Sequence, residues 1–381
     1  MEALKSQSVT QSKAALEFVL GMKGGNGDSS YANNSSPQLK IIQAVKPILE
    51  HGIYENMRFK FDVGGIFRMA DFGCGTGQNT LVVADTIVSA VQRLLTEQEM
   101  PEFEVYFTDL PTNDFNSLFQ MLPPPRDKNG VATRSYLSAA VCGSHFTRLF
   151  ARNSLHFCHS SMSLHWLSQV PESVQQRRSP RAYVSSECEE GVAAAYLHQF
   201  DTNFSSFLKA RAEEIVEGGC MFISLIGRNA DTHIMEDQGV LGYSARHLEY
   251  AFEALVMEGI ITKEKWESFN LPWFNPNLKE VESIVKREGS FAIVSMKIVG
   301  GMNAHPTTDV KKGEENMFGR IVANQHRALF ENIVEAHLGC KKVTNEFFLK
   351  IAERASIQFE EYLSKKIELL VAFLKKKKDK Q

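Results

Sequence analysis

The residues best suited to chemistry lie at 71–79, where the sequence reads Asp-Phe-Gly-Cys-Gly-Thr-Gly-Gln-Asn. Three glycines at alternate positions let a backbone turn pass close to a ligand, because no Cβ atom stands in the way. The turn follows a predicted strand at 66–72 and precedes a predicted helix at 79–95. Ligands of open α/β sheets bind at the carboxyl ends of the strands, so the turn predicts a nucleotide-type binding site.

The spacing of the glycines favours one ligand over others. A dinucleotide site needs Gly-x-Gly-x-x-Gly and an acid about 20 residues further on. Here the third glycine comes one position earlier, and the next suitable acid, Asp109, follows Gly77 by 32 residues. An acid at the end of a second strand can accept hydrogen bonds from a ribose. The pattern favours S-adenosylmethionine, which has no phosphate for a helix N-terminus to bind. An NAD or FAD site and a purely structural glycine turn are the alternatives.

The elements that must position this turn alternate between strand and helix. Apolar runs predict the strands, and apolar residues at helical spacing predict the helices. Such alternation predicts an α/β fold in which helices cover both faces of a mostly parallel sheet. The predicted strands are 66–72, 103–108, 155–159, 221–226 and 291–299, and the predicted helices are 37–52, 79–95, 203–217, 244–258 and 263–268.

After residue 228 the alternation of predicted strands and helices gives way to predicted helices. We interpret 229–288 as a helical cap over the substrate pocket, with 1–228 and 289–381 forming the cofactor-binding domain. The end of the chain is predicted to be helical, and it closes with four lysines at 375–378. We interpret this lysine run as a solvated tail, with a targeting or polyanion-contact role as the alternative.

Composition and charge argue against several classes of protein. The chain has 381 residues and a net charge of −3, so it lacks the basic excess of a general nucleic-acid binder. No apolar run reaches the roughly 18 residues of a membrane span, and the first residues lack the apolar core of a secretory signal. Six scattered cysteines contain no Cys-x-x-Cys pair. This disfavours a zinc–thiolate site and fits reduced thiols in a cytoplasmic protein.

Seven segments, in order along residues 20–300, resemble the plant salicylic acid/benzoic acid/theobromine methyltransferase family, called SABATH. Seven ordered blocks are far more specific than one glycine motif. The resemblance implies a Rossmann-like class I methyltransferase sheet with an α-helical cap, S-adenosylmethionine as cofactor, and a homodimer. The segments are MKGGNGDSSYANNSSPQ (22–38), ADFGCGTGQN (70–79), DLPTNDFN (109–116), GSHFTRLF (143–150), SLHFCHSSMSLHWLSQVPE (154–172), EEIVEGGCMFISLIGR (213–228) and EGIITKEKWESFNLPWFNP (258–276).

The resemblance also implies two sets of contacts. The cofactor set is Lys23, Tyr31, Ser35, Asp71, Gly73, Cys74, Asn79, Asp109, Leu110, Ser144 and His145, and the substrate set is Tyr31, Gln38, Met162, His165, Trp166 and Phe274.

A magnesium site is a further feature of some members of the family. Those members bind the ion through an Asn, an Asp and an Asn, at positions that here read Arg178, Glu267 and Asn270. Arg178 and Glu267 depart from the family's pattern. The candidate ligands in this chain are Glu267, Phe269 and Asn270. None of the chemistry below requires a metal.

The reaction implied by the resemblance is methyl transfer to a small acid or to a purine-like nitrogen. A carboxylate has a pKa of about 4, so it is already ionised at neutral pH and needs no general base. The protein must hold the oxygen and the methyl group in line, and orientation alone can lower the barrier by about 7–11 kcal/mol. Gln38 and Trp166 offer neutral N–H donors that can orient a carboxylate.

Three alternatives remain open for the substrate. With Met162 and Ala245 where relatives of the salicylate type have aromatics, we expect a roomier pocket, fitted to cinnamate-like, indole-acetate-like or other elongated apolar acids. The same fold can act on nitrogen or sulfur, where His165 would matter as a base; otherwise His165 is a pocket wall or a packed side chain. A non-catalytic protein that binds a small acid is the alternative from another class.

Overall fold

The computed structural model describes residues 19–59, 61, 64–124, 129–131, 133–175, 191–228, 239–302 and 310–378, with only the backbone at 239–244. The strands are β1 (Ile66–Phe72), β2 (Glu102–Asp109), β3 (Leu137–Cys142), β4 (Leu155–Ser161), β5 (Ile215–Ile226), β6 (Phe291–Met302) and β7 (Ile367–Lys376). Strands and helices alternate from β1 to β3, and β4 follows β3 without a helix between them; β3 is absent from the strands that the sequence predicts. The helices are α1 (Tyr31–Asn34), α2 (Ser36–Asn56), α3 (Gln78–Gln92), α4 (Phe115–Met121), α5 (Glu172–Gln175), α6 (Val192–Glu214), α7 (Gly239–Met257), α8 (Lys263–Glu267), α9 (Leu278–Glu288), α10 (Glu315–Leu338), α11 (Lys341–Ile357) and α12 (Phe359–Ser364).

The strands form one seven-stranded sheet in the order β3-β2-β1-β4-β5-β7-β6. The first five strands in this order are parallel to one another, and β7 runs antiparallel between β5 and β6. The prediction of a mostly parallel α/β sheet is confirmed. In the parallel register, Phe72 pairs with Thr108 and Asp109 pairs with Cys142. The loops after β1, β2 and β3 therefore leave the sheet at the same edge.

The central strand, β1, is buried on both faces. Phe67, Met69, Ala70 and Phe72 have no exposed surface, as expected for a parallel strand that is covered on both sides. Full burial of a Phe or Met side chain stabilises a fold by about 1.5–3 kcal/mol. The glycine turn that follows Phe72 is therefore attached to one of the most firmly packed parts of the molecule.

The predicted helix at 203–217 is wrong at its end. In the structure α6 ends at Glu214, and β5 begins with the next residue. Gly218 and Gly219, which are predicted to stop the helix, lie inside β5, next to an irregularity in its pairing with β4. Gly218 has a φ of +74°, a conformation that glycine adopts without strain. The two glycines thus mark a bulge in a strand.

The prediction that the chain ends in a helix followed by a solvated lysine run is also wrong in part. Lys375 and Lys376, the first two lysines of that run, lie in the strand β7. Residues 369–374 are a continuous apolar run, and β7 buries it between β5 and β6. Such a short run cannot be assigned to strand or helix from periodicity alone. Lys376 lies in this strand with only 8% of its surface exposed. Its Nζ donates to Asn153 Oδ1 (3.0 Å) and to the carbonyl of Ile215 (2.8 Å).

The helices that follow β5 pack in two groups. α7 packs against α11, α11 packs against α10, and α10 reaches α1, whereas α9 packs against α6 and β6. The division at residues 229 and 288 stays a prediction, and this packing groups α7 with the later helices α10 and α11. In the described ranges, no helix has the length and apolar character needed to cross a membrane.

A buried ion pair binds the loop after β3 to α6. Arg211 and Glu214 are fully buried, and Arg211 Nε lies 2.6 Å from Glu214 Oε2. The other guanidinium nitrogens donate to the carbonyls of His145 and Thr147, both at 2.9 Å. Glu214 Oε1 accepts two main-chain N–H groups of the same loop. The guanidinium also lies 3.9 Å from the ring centre of Phe72, so it connects the loop to β1.

We predict that Arg211→Met lowers the free energy of unfolding by about 3–5 kcal/mol, because it leaves the Glu214 carboxylate buried without its cation. Equilibrium unfolding in urea measures the effect. Arg148→Met is the matched control, since Arg148 forms an exposed ion pair with Glu213 at 3.0 Å, and exposed pairs contribute about 0–1 kcal/mol. Equal losses in the two variants would contradict the prediction.

Candidate active site

A cleft opens at the carboxyl edge of the sheet, where the loops after β1, β2, β3 and β4 meet. Residues of α2, α10 and α12 close it from the other side. Together with its open mouth, the cleft encloses about 1380 Å³ of empty space. Part of this space is open to solvent.

Most of the predicted binding residues face this cleft. Those that line it are Tyr31, Gln38, Gly73, Asp109, Leu110, Ser144, His145, Met162, His165 and Trp166. The predicted residues that lie outside its lining are Lys23, Ser35, Asp71, Cys74, Asn79 and Phe274. The glycine turn, the acid after β2 and the proposed carboxylate donors thus share one space.

The glycine turn is pressed between two other parts of the protein. Gly73 has a φ of +78°, and a Cβ there would lie 2.3 Å from the Cβ of Ser163. A Cβ at Gly75 would lie 3.0 Å from a ring carbon of Tyr31, and one at Gly77 would lie 3.2 Å from the backbone of α1. The glycines are therefore required by close protein packing as well as by space for a ligand.

Three predicted cofactor contacts near the turn, Asp71, Cys74 and Asn79, lie outside the lining of the cleft and form hydrogen bonds within the protein. The Asp71 carboxylate is buried, with one oxygen 2.5 Å from Thr80 Oγ1 and the other 2.7 Å from His159 Nδ1. These contacts tie β1 to α3 and to β4. Asn79 Nδ2 donates to the carbonyl of Ser35 (3.1 Å), which attaches the segment before α2 to the start of α3. Burial raises the pKa of the Cys74 thiol, so this cysteine stays protonated.

Asp109 is the acidic group that faces the cleft. Its Oδ2 accepts the N–H of Gly75, and its Oδ1 accepts the N–H of Leu110, both at 2.7 Å. Burial raises the pKa of Asp109 to about 6. A carboxylate oxygen has lone pairs for more than one donor, so Asp109 can also accept hydrogen bonds from a ligand's hydroxyl groups.

The loop after β3 supplies a flat, largely apolar surface beside Asp109. His145 and Phe146 line the cleft, and their ring centres lie 4.3 Å apart at 83°. Burial lowers the pKa of His145 to about 3, so its ring is neutral. A neutral ring surface next to a diol-binding acid suits an adenosine group. The residues at this end of the cleft therefore fit S-adenosylmethionine.

The other end of the cleft carries the proposed carboxylate donors. The Gln38 amide has no hydrogen-bond partner among the described residues: its Oε1, an acceptor, is buried and unpaired, and its Nε2 is the N–H group that can donate to a carboxylate. Trp166 packs against Trp273 with ring centres 4.6 Å apart and against Phe330 at 5.8 Å. The indole N–H of Trp273 donates to Asn275 Oδ1 (2.5 Å), whereas we find no such partner for that of Trp166 in the described chain. Gln38 and Trp166 thus retain hydrogen-bonding capacity toward a ligand.

His165 lies beside these donors as a neutral side chain. Its ring stacks on that of Trp273 at 4.4 Å and 24°. Burial lowers its pKa to about 3. Its Nδ1 is buried, with no hydrogen bond to any residue that the structure describes. This histidine is therefore both a packed ring and a potential hydrogen-bonding group in the cleft wall.

Phe274 and Lys23 lie elsewhere than the resemblance implies. Phe274 is fully buried, 5.6 Å from the ring of Phe200, and it is the preceding residue, Trp273, that lines the cleft. Lys23 forms an ion pair with Glu331 on α10 and donates to Ser29 Oγ at 2.6 Å. Lys23 therefore attaches the N-terminal segment to α10 and does not face the cleft.

Ala245 and several residues late in the chain change the expected lining. Ala245 is buried in α7 and is not part of the lining, so only Met162 of the two positions used for the size argument faces the cleft. The sequence interpretation missed the lining residues Gln325, His326, Leu329, Phe330 and Tyr362. Gln325 and His326 are polar residues among the buried residues of α10. This pair was the sequence feature that could have indicated that α10 faces a ligand site.

The candidate magnesium ligands Glu267, Phe269 and Asn270 include a single carboxylate. Mg²⁺ prefers oxygen ligands. Glu267 lies 3.5 Å from Lys263, and the ring of Phe269 is buried against Phe252 at 4.7 Å. Within the described ranges, no group of three His, Cys, Asp or Glu side chains is arranged to hold a metal. Arg178 lies outside the described residues.

Comparisons with known proteins give the same assignment for almost the whole chain. A family described as "SAM dependent carboxyl methyltransferase" matches residues 17–377. Indole-3-acetate O-methyltransferase 1 of Oryza sativa subsp. japonica is 36% identical, over 96% of this chain and 96% of that protein. The probable jasmonic acid carboxyl methyltransferase 2 of Theobroma cacao is 35% identical, over 94% and 98%.

A solved structure extends the similarity to the fold. Loganic acid methyltransferase with SAH has a TM-score of 0.81 and 32% sequence identity, over 94% of this chain and 99% of that one. The sheet order, the glycine turn and the acid after β2 agree with this similarity. The chain is thus an S-adenosylmethionine-dependent methyltransferase, and it belongs to the SABATH family of carboxyl methyltransferases.

Proposed function

We propose that this enzyme makes the methyl ester of a small, mainly apolar carboxylic acid, of an aromatic, cinnamate-like or indole-acetate-like kind, without a general base. The observation that carries the proposal is the pairing of Gln38 and Trp166 in the same cleft as Asp109. Similarity to enzymes named for indole-3-acetate and jasmonic acid supports an acid as substrate.

Binding and orientation are the work of the chain's own residues. Asp109 holds the ribose hydroxyls of the cofactor, and His145 and Phe146 form the surface for its adenine. When bound, S-adenosylmethionine supplies an electrophilic methyl group on a sulfonium. The Gln38 amide and the Trp166 indole N–H donate to the substrate carboxylate and orient one oxygen for in-line attack.

The absence of a general base follows from the charge of the nucleophile. A carboxylate with a pKa of about 4 is ionised at neutral pH, so no proton has to be removed. His165, with a pKa of about 3, stays neutral and contributes no counter-charge that would hold the carboxylate's charge in place. Apolar side chains such as Ile41 and Phe330 line the same cleft and exclude water.

Transfer to nitrogen or sulfur is the second candidate function. The buried, unbonded Nδ1 of His165 favours it, because a neutral imidazole nitrogen can accept a proton from an N–H or S–H nucleophile. A non-catalytic acid-binding protein is the third candidate. The cofactor end of the cleft argues against it, because a protein without turnover has no use for that end.

A panel of carboxylic, N–H and thiol compounds with radiolabelled methyl donor tests the proposal. We expect extractable product from carboxylic acids only, and its label should be released by mild alkali, which cleaves methyl esters. Label that survives alkali would assign the enzyme to nitrogen or sulfur. Binding of S-adenosylhomocysteine by calorimetry, without product from any compound, would favour the non-catalytic alternative.

The carboxylate donors give the second prediction. Gln38→Leu and Trp166→Phe each remove one N–H donor while preserving most of the side-chain volume. A hydrogen bond to a charged group contributes about 1.5–3 kcal/mol, so we expect kcat/KM for the acid to fall about 10- to 100-fold in each. Gln43→Leu, on the exposed face of the same helix, is the control. Wild-type turnover in both donor variants would exclude these side chains as the clamp.

The acid at the cofactor end gives a pH prediction. Only the ionised form of Asp109 accepts two ribose hydroxyls, and its pKa is about 6 in the free protein. The Kd of S-adenosylhomocysteine should therefore rise as pH falls below about 6, by up to about tenfold per unit. Asp109→Asn should weaken binding above about pH 6, where the wild-type carboxyl is ionised, and should abolish this slope, as isothermal titration would show. Asp85→Asn is the control, because its raised pKa belongs to a carboxyl outside the cleft.

The pocket size gives a fourth prediction. Met162 lines the cleft with a flexible side chain, and Met adapts to irregular ligand shapes. We expect elongated acids such as cinnamate and indole-3-acetate to have a higher kcat/KM than salicylate. Met162→Tyr should reduce that advantage by filling the space. A strong preference of the wild-type enzyme for salicylate over all longer acids would refute the size argument.

A further inference from the structure

Gln325 on α10 is a polar side chain buried in the lining of the cleft. It is 8% exposed and lies among the residues that face the cavity. Its amide makes no hydrogen bond to any residue within the described ranges, and neither amide atom is among the fully buried unpaired atoms, so the amide is open to the cleft. A ligand that fills the cleft displaces the water that can otherwise pair with this amide, and the ligand then has to supply the hydrogen bond itself.

Gln325 lies one helical turn before Leu329, which shares its face of α10 and also lines the cleft. Phe330 is the next residue. The Phe330 ring contacts Trp166 at 5.8 Å and Trp273 at 6.0 Å. One turn of helix spans about 5.4 Å. A ligand held by Trp166 therefore has to extend past Phe330 to reach Gln325.

The surroundings of Gln325 are polar on one side and apolar on the other. His326 lines the cleft next to it, with its Nδ1 2.8 Å from the carbonyl of Val322. A carbonyl only accepts, so Nδ1 carries a hydrogen. Toward Trp166 the lining is apolar, with Leu329 and Phe330. The cleft thus has a polar far end behind an apolar middle.

We propose that the natural substrate is an acid with a second hydrogen-bonding group, a hydroxyl, carbonyl or N–H, at the end remote from its carboxylate, and that Gln325 binds this group. An amide offers both a donor and an acceptor, so it can pair with any of the three. An apolar ring or chain between the two polar ends occupies the middle of the cleft. The inference rests on the proposed carboxyl methylation and adds the substrate's second functional group.

Matched acids that differ only at the remote end test this inference. The pairs are 3-phenylpropanoic with 3-(4-hydroxyphenyl)propanoic acid and cinnamic with 4-hydroxycinnamic acid. An enzyme whose buried amide is satisfied only by the hydroxylated acid should favour that acid by about five- to a hundredfold in kcat/KM. Gln325→Met, of similar length without hydrogen-bonding groups, should reduce this preference to about one.

The control is Asn324→Leu, which removes a neighbouring amide that does not line the cleft, and which should keep the preference. Thermal unfolding shows whether each variant is folded, and the wild-type comparison stands without any variant. Equal or better use of the unsubstituted acids by the wild-type enzyme would overturn the inference while leaving carboxyl methylation intact. So would an unchanged preference in Gln325→Met. If no acid yields an alkali-labile ester, the proposed function fails, and this inference fails with it.

Discussion

The parallel register of β1 between β2 and β4 is the constraint on which the rest of the structure depends. It makes the strands end at one edge, so the glycine turn, Asp109 and the segment that carries Trp166 leave the sheet together. The turn then has to fit between α1 and Ser163, and this contact leaves no space for side chains at Gly73 or Gly77. The glycines are therefore a consequence of the packing at this edge as much as of ligand binding.

Buried polar groups in this protein fall into two sets. Those that support the fold are paired inside the chain, as the Asp71 carboxylate is with Thr80 and His159 and as the Arg211 guanidinium is with Glu214. Others lack partners among the described residues: Gln38 Oε1 and His165 Nδ1 line the cleft, whereas Thr112 Oγ1 and Trp266 Nε1 lie outside its lining. Because unpaired buried groups are costly, a ligand in the cleft that pairs with Gln38 and His165 gains free energy there.

β1, β2 and β4 could be predicted because their apolar runs end in recognisable breaks, whereas β3 was missed because its side chains are largely exposed and show no long apolar run. β1 lies at 66–72 as predicted, since its run is bounded by Gly73. The end of α6 and the last strand could not be predicted, because the deciding contacts are distant in sequence. β7 is a strand because β5 and β6 hold it on both sides. Likewise, α10 contributes Phe330 to a cleft formed mainly by residues more than a hundred positions earlier.

The neutral character of the substrate end has a structural cause. Among the described residues that line the cleft there is no Lys or Arg. The nearby cations are used in the fold: Lys23 pairs with Glu331, Arg211 holds the loop after β3, and Arg228 pairs with Glu280. Among these lining residues, a carboxylate that enters the cleft therefore meets neutral donors such as the N–H groups of Gln38 and Trp166. Neutral donors fix its direction and leave more of the charge on the attacking oxygen than an ion pair with arginine would.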